Sequence, residues 1–229
     1  MVCKWYCSSA IMDLRINDII TLLNVPEKTV NKWIKDNFIP FHVINHEYRF
    51  NITEVKEWVL QNRLPLTQEF LKLTATGIPM KLSELVTRGG IIYDIPGSTM
   101  ADVLKASVKA MTLPEGTHAD SILFSLLERE ELLPTAVGNG IAIPHPRNPL
   151  VTDITHEQVT LVYLNEHIEY HAPDKLPIHV LFILLSANHR RHLEILARLA
   201  FFCQDRTFLR MLDGHPHDES IIAFMKEHE

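Results

Sequence analysis

His145 stands between Pro144 and Pro146, at the end of the run Gly138-Asn139-Gly140-Ile141-Ala142-Ile143. The prolines fix φ and remove competing N–H donors, so the imidazole is carried on a stiff tether. Turned toward solvent with a pKa near neutrality, such a ring is a neutral nitrogen nucleophile, which is what a phosphoryl carrier needs. Gly138 and Gly140 permit positive φ and close backbone approach, so with Asn139 they read as a phosphate loop. Phosphoryl transfer needs an in-line nucleophile and neutralised equatorial oxygens more than elaborate covalent chemistry. Arg129 supplies a planar fork for those oxygens, and His192 supplies a second ring N–H.

The other titratable residues suggest less. Among 13 histidines, His167 and His171 are four apart and His189 and His192 three apart, which on a helix is zinc-ligand spacing. No cysteine or carboxylate completes a tetrahedral set, so these read as surface histidines and no metal is expected. His215-Pro216-His217 reads as an exposed loop. Three cysteines, Cys3, Cys7 and Cys203, make no disulfide framework and point to a reducing compartment. No Walker motif, dinucleotide fingerprint or serine-nucleophile elbow is present, and no cofactor is expected. The longest apolar run, Ile178 to Leu185, contains His179 and falls short of the roughly 18 residues that span a bilayer. A soluble, cytoplasmic protein without membrane association is the expectation, with Met12 as its natural start and residues 1–11 an extension.

The elements that must hold His145 follow from periodicity. Leu82 to Leu85 opens a domain at about residue 80. A strand is expected at Ile91–Ile95, helices from Thr99 to about Met111 and from His118 to Glu131, and then an irregular loop. Strands at Gln158–Leu164 and Ile178–Leu185 precede a helix from Arg190 to about Phe202. Alternating strands and helices predict an α/β domain over residues 80–229. Ahead of it, residues 62–79 read as a linker with a short helix at Leu66–Leu73.

Residues 12–61 differ in plan. Leu14 to Leu23 carries a helical stripe, Asn24-Val25-Pro26 ends it, and Pro26 suits the first position of a second helix with Val30, Trp33 and Ile34 inward. Phe38–Ile44 and Tyr48–Phe50 form a hairpin around Asn45-His46. Asn51, with Glu54 as capping-box partner, opens a third helix on Val55, Trp58 and Val59. This is a winged helix-turn-helix plan. Its second helix would present Lys28, Thr29, Asn31, Lys32 and Lys35 to phosphates and bases.

Two resemblances follow. The stretch "INDIITLLNVPEKTVNKWIKDNFIPFHVINHEYRFNITEVKEW" resembles the excisionase-like and MerR-like DNA-binding family. That resemblance implies that Arg49 touches the DNA backbone, although Pro26 replaces the usual Ser or Thr cap and the wing turn lacks glycine. Residues from about 81 to 225 resemble the fructose, mannitol and nitrogen-regulatory type of phosphotransferase-system enzyme IIA domain. The resemblance rests on "GNGIAIPH", on Arg129 sixteen residues before His145, and on "PIHVLFILLS" followed by "HLEILARLA", which puts His192 at the second-histidine position. It implies a mixed-sheet domain flanked by helices, with His145 phosphorylated by HPr or its nitrogen-branch counterpart and able to hand phosphate to a IIB domain. Where the family commonly has glycines, this chain has Leu133-Pro134-Thr135-Ala136 and His145-Pro146.

Charge narrows the DNA reading. There are 22 basic and 28 acidic side chains, a formal net of −6. Residues 12–61 hold six basic and seven acidic ones, so DNA contact has to come from a local lysine face. The combined expectation is a phosphorylation-responsive transcriptional regulator of the bacterial cytoplasm. It would be a phosphohistidine carrier, not a free-standing catalyst, and a homodimer would suit paired half-sites. The alternative is a carrier component feeding a IIB domain, with residues 12–61 a protein-interaction module.

Overall fold

The computed structural model describes residues 13–214 and 218–229, and the chain divides into two compact units between Leu73 and Thr74. The expected extension 1–11, the start at Met12 and the loop His215-Pro216-His217 lie outside the described residues.

In the first unit β1 (Asp13–Leu14), α1 (Ile16–Leu23), α2 (Glu27–Lys35), β2 (His42–Ile44), β3 (Glu47–Asn51), α3 (Ile52–Gln61) and α4 (Gln68–Thr74) follow in order. Asp18 Oδ2 accepts from the Arg15 N–H at 2.7 Å and so closes the start of α1, and Asn24 ends the helix in the left-handed region. Pro26 sits one position earlier than expected, as the N-cap of α2, with its carbonyl accepting from the N–H groups of Thr29 and Val30. After α2, Asn37 at φ 50° lets Phe38 N–H return to the Trp33 carbonyl. That closure occupies residues expected to be strand, and β2 begins only at His42.

Strands β2 and β3 pair antiparallel through the two-residue turn Asn45-His46, both at positive φ, as a hairpin that matches strand twist requires. Asn51 caps α3 by accepting from Thr53 and Glu54 N–H groups. Glu54 itself reaches across to His42 Nε2 at 2.9 Å. Val30, Ile34, Phe50, Val55, Trp58 and Val59 are buried. Phe70 of α4 joins them, while Thr67 Oγ1 donates to the Leu22 carbonyl at 2.6 Å. Part of the segment read as a linker is therefore packed structure of the first unit.

The second unit runs α5 (Leu82–Gly89), β4 (Ile91–Ile95), α6 (Met100–Ala110), α7 (Ala119–Leu132), β5 (Ala136–Gly138), β6 (Ile141–Ala142), β7 (Gln158–Ile168), β8 (Ile178–Leu185), α8 (His189–Phe202), α9 (Arg206–Asp213) and α10 (Asp218–His228). The sheet order is β4-β7-β8-β6-β5, with β4/β7 and β6/β8 parallel and β7/β8 and β5/β6 antiparallel. Every residue of β8 is buried, because helices cover both faces. Val180, Phe182 and Leu184 pack with α5, α8, α9 and α10, while Leu181, Ile183 and Leu185 pack with α6 and α7.

The loop expected after α7 holds β5 and β6, and the chain beyond α8 forms α9 and α10; these four elements were not expected. Strands of three and two residues show no readable period, and α9 is short and charge-rich.

Candidate functional site

The strand-like path of β6 continues past Ala142. Ile143 N–H donates to the Thr135 carbonyl at 3.1 Å, and Leu184 N–H donates to the Pro144 carbonyl at 2.9 Å. His145 thus leaves a backbone fixed on both sides. Its Nδ1–H donates to the Ile143 carbonyl at 2.7 Å, which leaves Nε2 as the ring nitrogen carrying the lone pair.

His192 comes from the first turn of α8, whose start is set by Asn188 accepting from the Arg191 N–H at 3.0 Å. The rings of His145 and His192 lie 4.8 Å apart, tilted by 55°. Ser186 Oγ lies 3.4 Å from His192 Nδ1; a hydroxyl donating there leaves Nε2–H as the donor of the ring.

Arg129 lies in the last turn of α7 with Nη1–H donating to the Leu133 carbonyl at 2.7 Å. The next residue, Glu130, is buried and accepts from both the N–H and the hydroxyl of Thr135, which pins the path from α7 into β5. Burial pushes the Glu130 pKa up. The Arg129 guanidinium is held below its ordinary value, first by burial and further by the cation of Arg147. Neither Ser186 nor Arg147 was singled out from sequence, although Arg147 follows His145 by two residues.

His145 is buried, with 7% of its surface exposed, rather than solvent-facing. Its pKa is pushed down to about 4 rather than lying near neutrality. Loss of solvation is the larger cause and the Arg129 cation the next, against an upward pull from the Ile143 carbonyl. His192 is likewise held well below its ordinary value by burial, then by His145, His189 and Arg129. Both rings are thus held toward the neutral form.

Gly138, Asn139 and Gly140 stand elsewhere. They form the β5–β6 turn, all three at positive φ, and Asn139 N–H donates to Asp174 Oδ2 at 2.7 Å. Gly140 accepts from the N–H groups of His179 and Val180, whereas Pro144 accepts from Leu184. The turn and His145 are therefore about five extended residues, roughly 16 Å, apart along β8. The structure brings Arg129, His145 and His192 together and leaves the glycine turn outside that group.

In the first unit Lys28, Asn31, Lys32 and Lys35 are exposed on α2, and Thr29 is half-buried. Lys28, Thr29 and Lys32 line a groove with Trp33, Asp36, Asn37 and Phe38. Arg49 Nη2 donates to Glu47 Oε2 at 2.5 Å, so the wing arginine is held by its neighbour on β3. Trp33 and Trp58 stack edge-to-face at 5.3 Å as part of the packing. Among the described residues no group of three or more His, Cys, Asp or Glu is arranged to hold a metal, and no helix is long and apolar enough to cross a membrane.

Helices on both faces of a mixed five-stranded sheet are also the fold of solved IIA proteins. Nitrogen regulatory protein IIA-Ntr from Neisseria meningitidis superposes with a TM-score of 0.55 at 24% identity, covering 62% of this chain and 97% of that one. A IIA domain from Streptococcus pyogenes M1 GAS superposes at 0.51 and 14% identity, covering 65% and 96%. In sequence, residues 84–228 match the family "Phosphoenolpyruvate-dependent sugar phosphotransferase system, EIIA 2", and residues 14–63 match a helix-turn-helix domain. The chain belongs to the EIIA 2 family and carries a helix-turn-helix domain in front of it.

Among curated relatives, a nitrogen regulatory protein of Pseudomonas aeruginosa is 34% identical over 125 residues, covering 53% of this chain and 79% of the relative. The mannitol-specific phosphotransferase enzyme IIA component of Bacillus subtilis is 25% identical over 148 residues, covering 65% and 93%.

Proposed function

We propose that this protein is a cytoplasmic, phosphorylation-responsive transcriptional regulator in which His145 accepts a phosphoryl group from the phosphohistidine of an HPr-type donor. The observation that carries the reading is the buried pair itself, with His145 Nδ1–H tied to a carbonyl and His192 4.8 Å away beside Arg129. The His145 Nε2 lone pair attacks phosphorus, a new N–P bond forms, and the donor's P–N bond breaks with its electron pair returning to the donor nitrogen. Arg129 and the His192 N–H neutralise the oxygens as charge redistributes. The protein is a carrier, phosphorylated once per cycle, and not a free-standing catalyst.

The helix-turn-helix domain makes DNA the second partner, with Lys28, Thr29, Asn31, Lys32 and Lys35 as its contact face and Arg49 on the wing. A homodimer reading paired half-sites fits such a domain. Phosphorylation adds roughly two negative charges to the EIIA domain and thereby changes DNA binding or the choice of regulatory protein partner. The Bacillus relative's name favours a second reading, a carrier that passes phosphate to a IIB domain while its front domain binds protein.

Incubating the full chain with phosphoenolpyruvate, enzyme I and HPr or its nitrogen-branch counterpart tests the acceptor. The wild type is expected to be labelled and His145→Ala not. Equal labelling of the two would place the acceptor elsewhere.

A further inference from the structure

The glycine turn that stands apart from the histidine pair opens onto a cleft of about 640 Å³ in the second unit, within the size range of small-molecule sites. Six polar side chains line it: Asn139 of the glycine turn, His167 from β7, His179 from β8, and Arg206, Arg210 and Asp213 from α9. Leu209 and Pro177 add apolar wall.

Two features make this a constructed site. The His179 ring fills the space above Gly140, where an added Cβ would lie 2.4 Å from its Cε1 and Nδ1, so the turn requires glycine there for the ring to seat. His179 is further held by Asp213 at 3.2 Å and stacks on His167 with centroids 4.9 Å apart. The second feature is cationic. Arg206 and Arg210 lie one turn apart on α9, linked only by Arg210 Nε donating to the Arg206 carbonyl at 3.2 Å. Among the described residues neither guanidinium has a carboxylate within ion-pair range, and Asp213 is held by His179.

We propose that this cleft binds a small organic phosphate monoester. Two neighbouring planar forks match the oxygens of a dianionic phosphate, and the stacked imidazoles with Leu209 and Pro177 offer a face to the organic part. The site is separate from His145 and does not depend on whether His145 carries phosphate.

Calorimetric titration of the full chain with inorganic phosphate, glycerol 3-phosphate, AMP and adenosine tests it. At least one monoester, glycerol 3-phosphate or AMP, is expected to saturate below about 1 mM, with adenosine showing no binding. Arg206→Ser/Arg210→Ser is expected to weaken that monoester about tenfold or more while keeping wild-type labelling on His145, and His145→Ala to bind it like the wild type. The proposal is overturned if neither monoester saturates, if adenosine binds as well as AMP, if the double Ser variant binds undiminished, or if His145→Ala abolishes binding. Inorganic phosphate is expected to compete with the bound monoester; failure to compete would also overturn phosphate recognition.

Discussion

At the scale of single residues, the state of His145 is set by burial. An exposed histidine changes charge near pH 6.5, but removal from water and the Arg129 cation hold this one down to about 4. The neutral ring is therefore the form that the fold accommodates. Because the folded pKa lies below the unfolded value of 6.5, the unfolded chain binds the extra proton first as pH falls. The stabilisation is fully present above about pH 6.5 and is lost progressively toward pH 4, amounting to on the order of a few kcal/mol. Urea midpoints measured across this window should therefore fall less steeply for His145→Gln than for the wild type; parallel profiles would contradict the buried, neutral assignment. From the sequence, the stiff Pro-His-Pro tether was legible, but the covering of the ring was not. Burial depends on Leu184 pairing with Pro144 and on α8 packing nearby, which are long-range contacts with no local signature. Cys203 follows the same rule, its thiol pushed up to about 12 by burial and so inert.

At the scale of elements, β7, β8 and α8 were legible because their apolar runs are long and bounded. β5 and β6 were not, since strands of three and two residues acquire their identity only by pairing at the sheet edge. For the same reason the glycine turn read as part of the phosphate site, when the hairpin it closes carries it about 16 Å from His145. α9 left a readable trace in Asp205, which accepts from the Thr207 and Phe208 N–H groups as an N-cap, but its apolar stripe of Phe208, Leu209, Met211 and Leu212 spans only eight residues. At Gly89, α5 lies close against the backbone of β7. A Cβ at Gly89 would meet the Val159 backbone at 2.3 Å, and backbone cannot rotate away as a side chain can. Gly89→Ala should therefore cost about 3 kcal/mol in urea unfolding of the chain, near the upper end of ordinary substitutions. A loss below about 0.5 kcal/mol would show that α5 does not sit on β7 as described.

At the scale of the whole molecule, the two units must communicate if a phosphate on one is to alter the other. The first residues of the second unit are clamped to α8, the helix that carries His192. Thr76 donates from its N–H and hydroxyl to Glu194 Oε2 at 3.2 and 2.7 Å, and Arg191 donates to the Ile78 carbonyl at 3.3 Å. Arg191 is also paired with the buried Glu157 at 2.7 Å, so the clamp is stiff. If phosphorylation of His145 shifts α8, as the proposed function requires, this clamp is the route by which the shift would reach the segment that leads from the first unit. Thr76→Val should leave His145 labelling intact and shrink the effect of phosphorylation on DNA affinity about threefold or more, whereas an unchanged response would remove the clamp from the route.

Phosphorylation of His145 controlling the helix-turn-helix domain is the claim on which the account rests. The direct measurement is fluorescence anisotropy of the full chain on genomic DNA fragments that it binds, comparing phosphorylated wild type, unphosphorylated wild type and His145→Ala after the same treatment. The account predicts that phosphorylation shifts wild-type affinity by about fivefold or more, in a salt-dependent manner, while His145→Ala stays at the unphosphorylated value. Equal affinity of the two wild-type forms, or a shift that persists in His145→Ala, would contradict it.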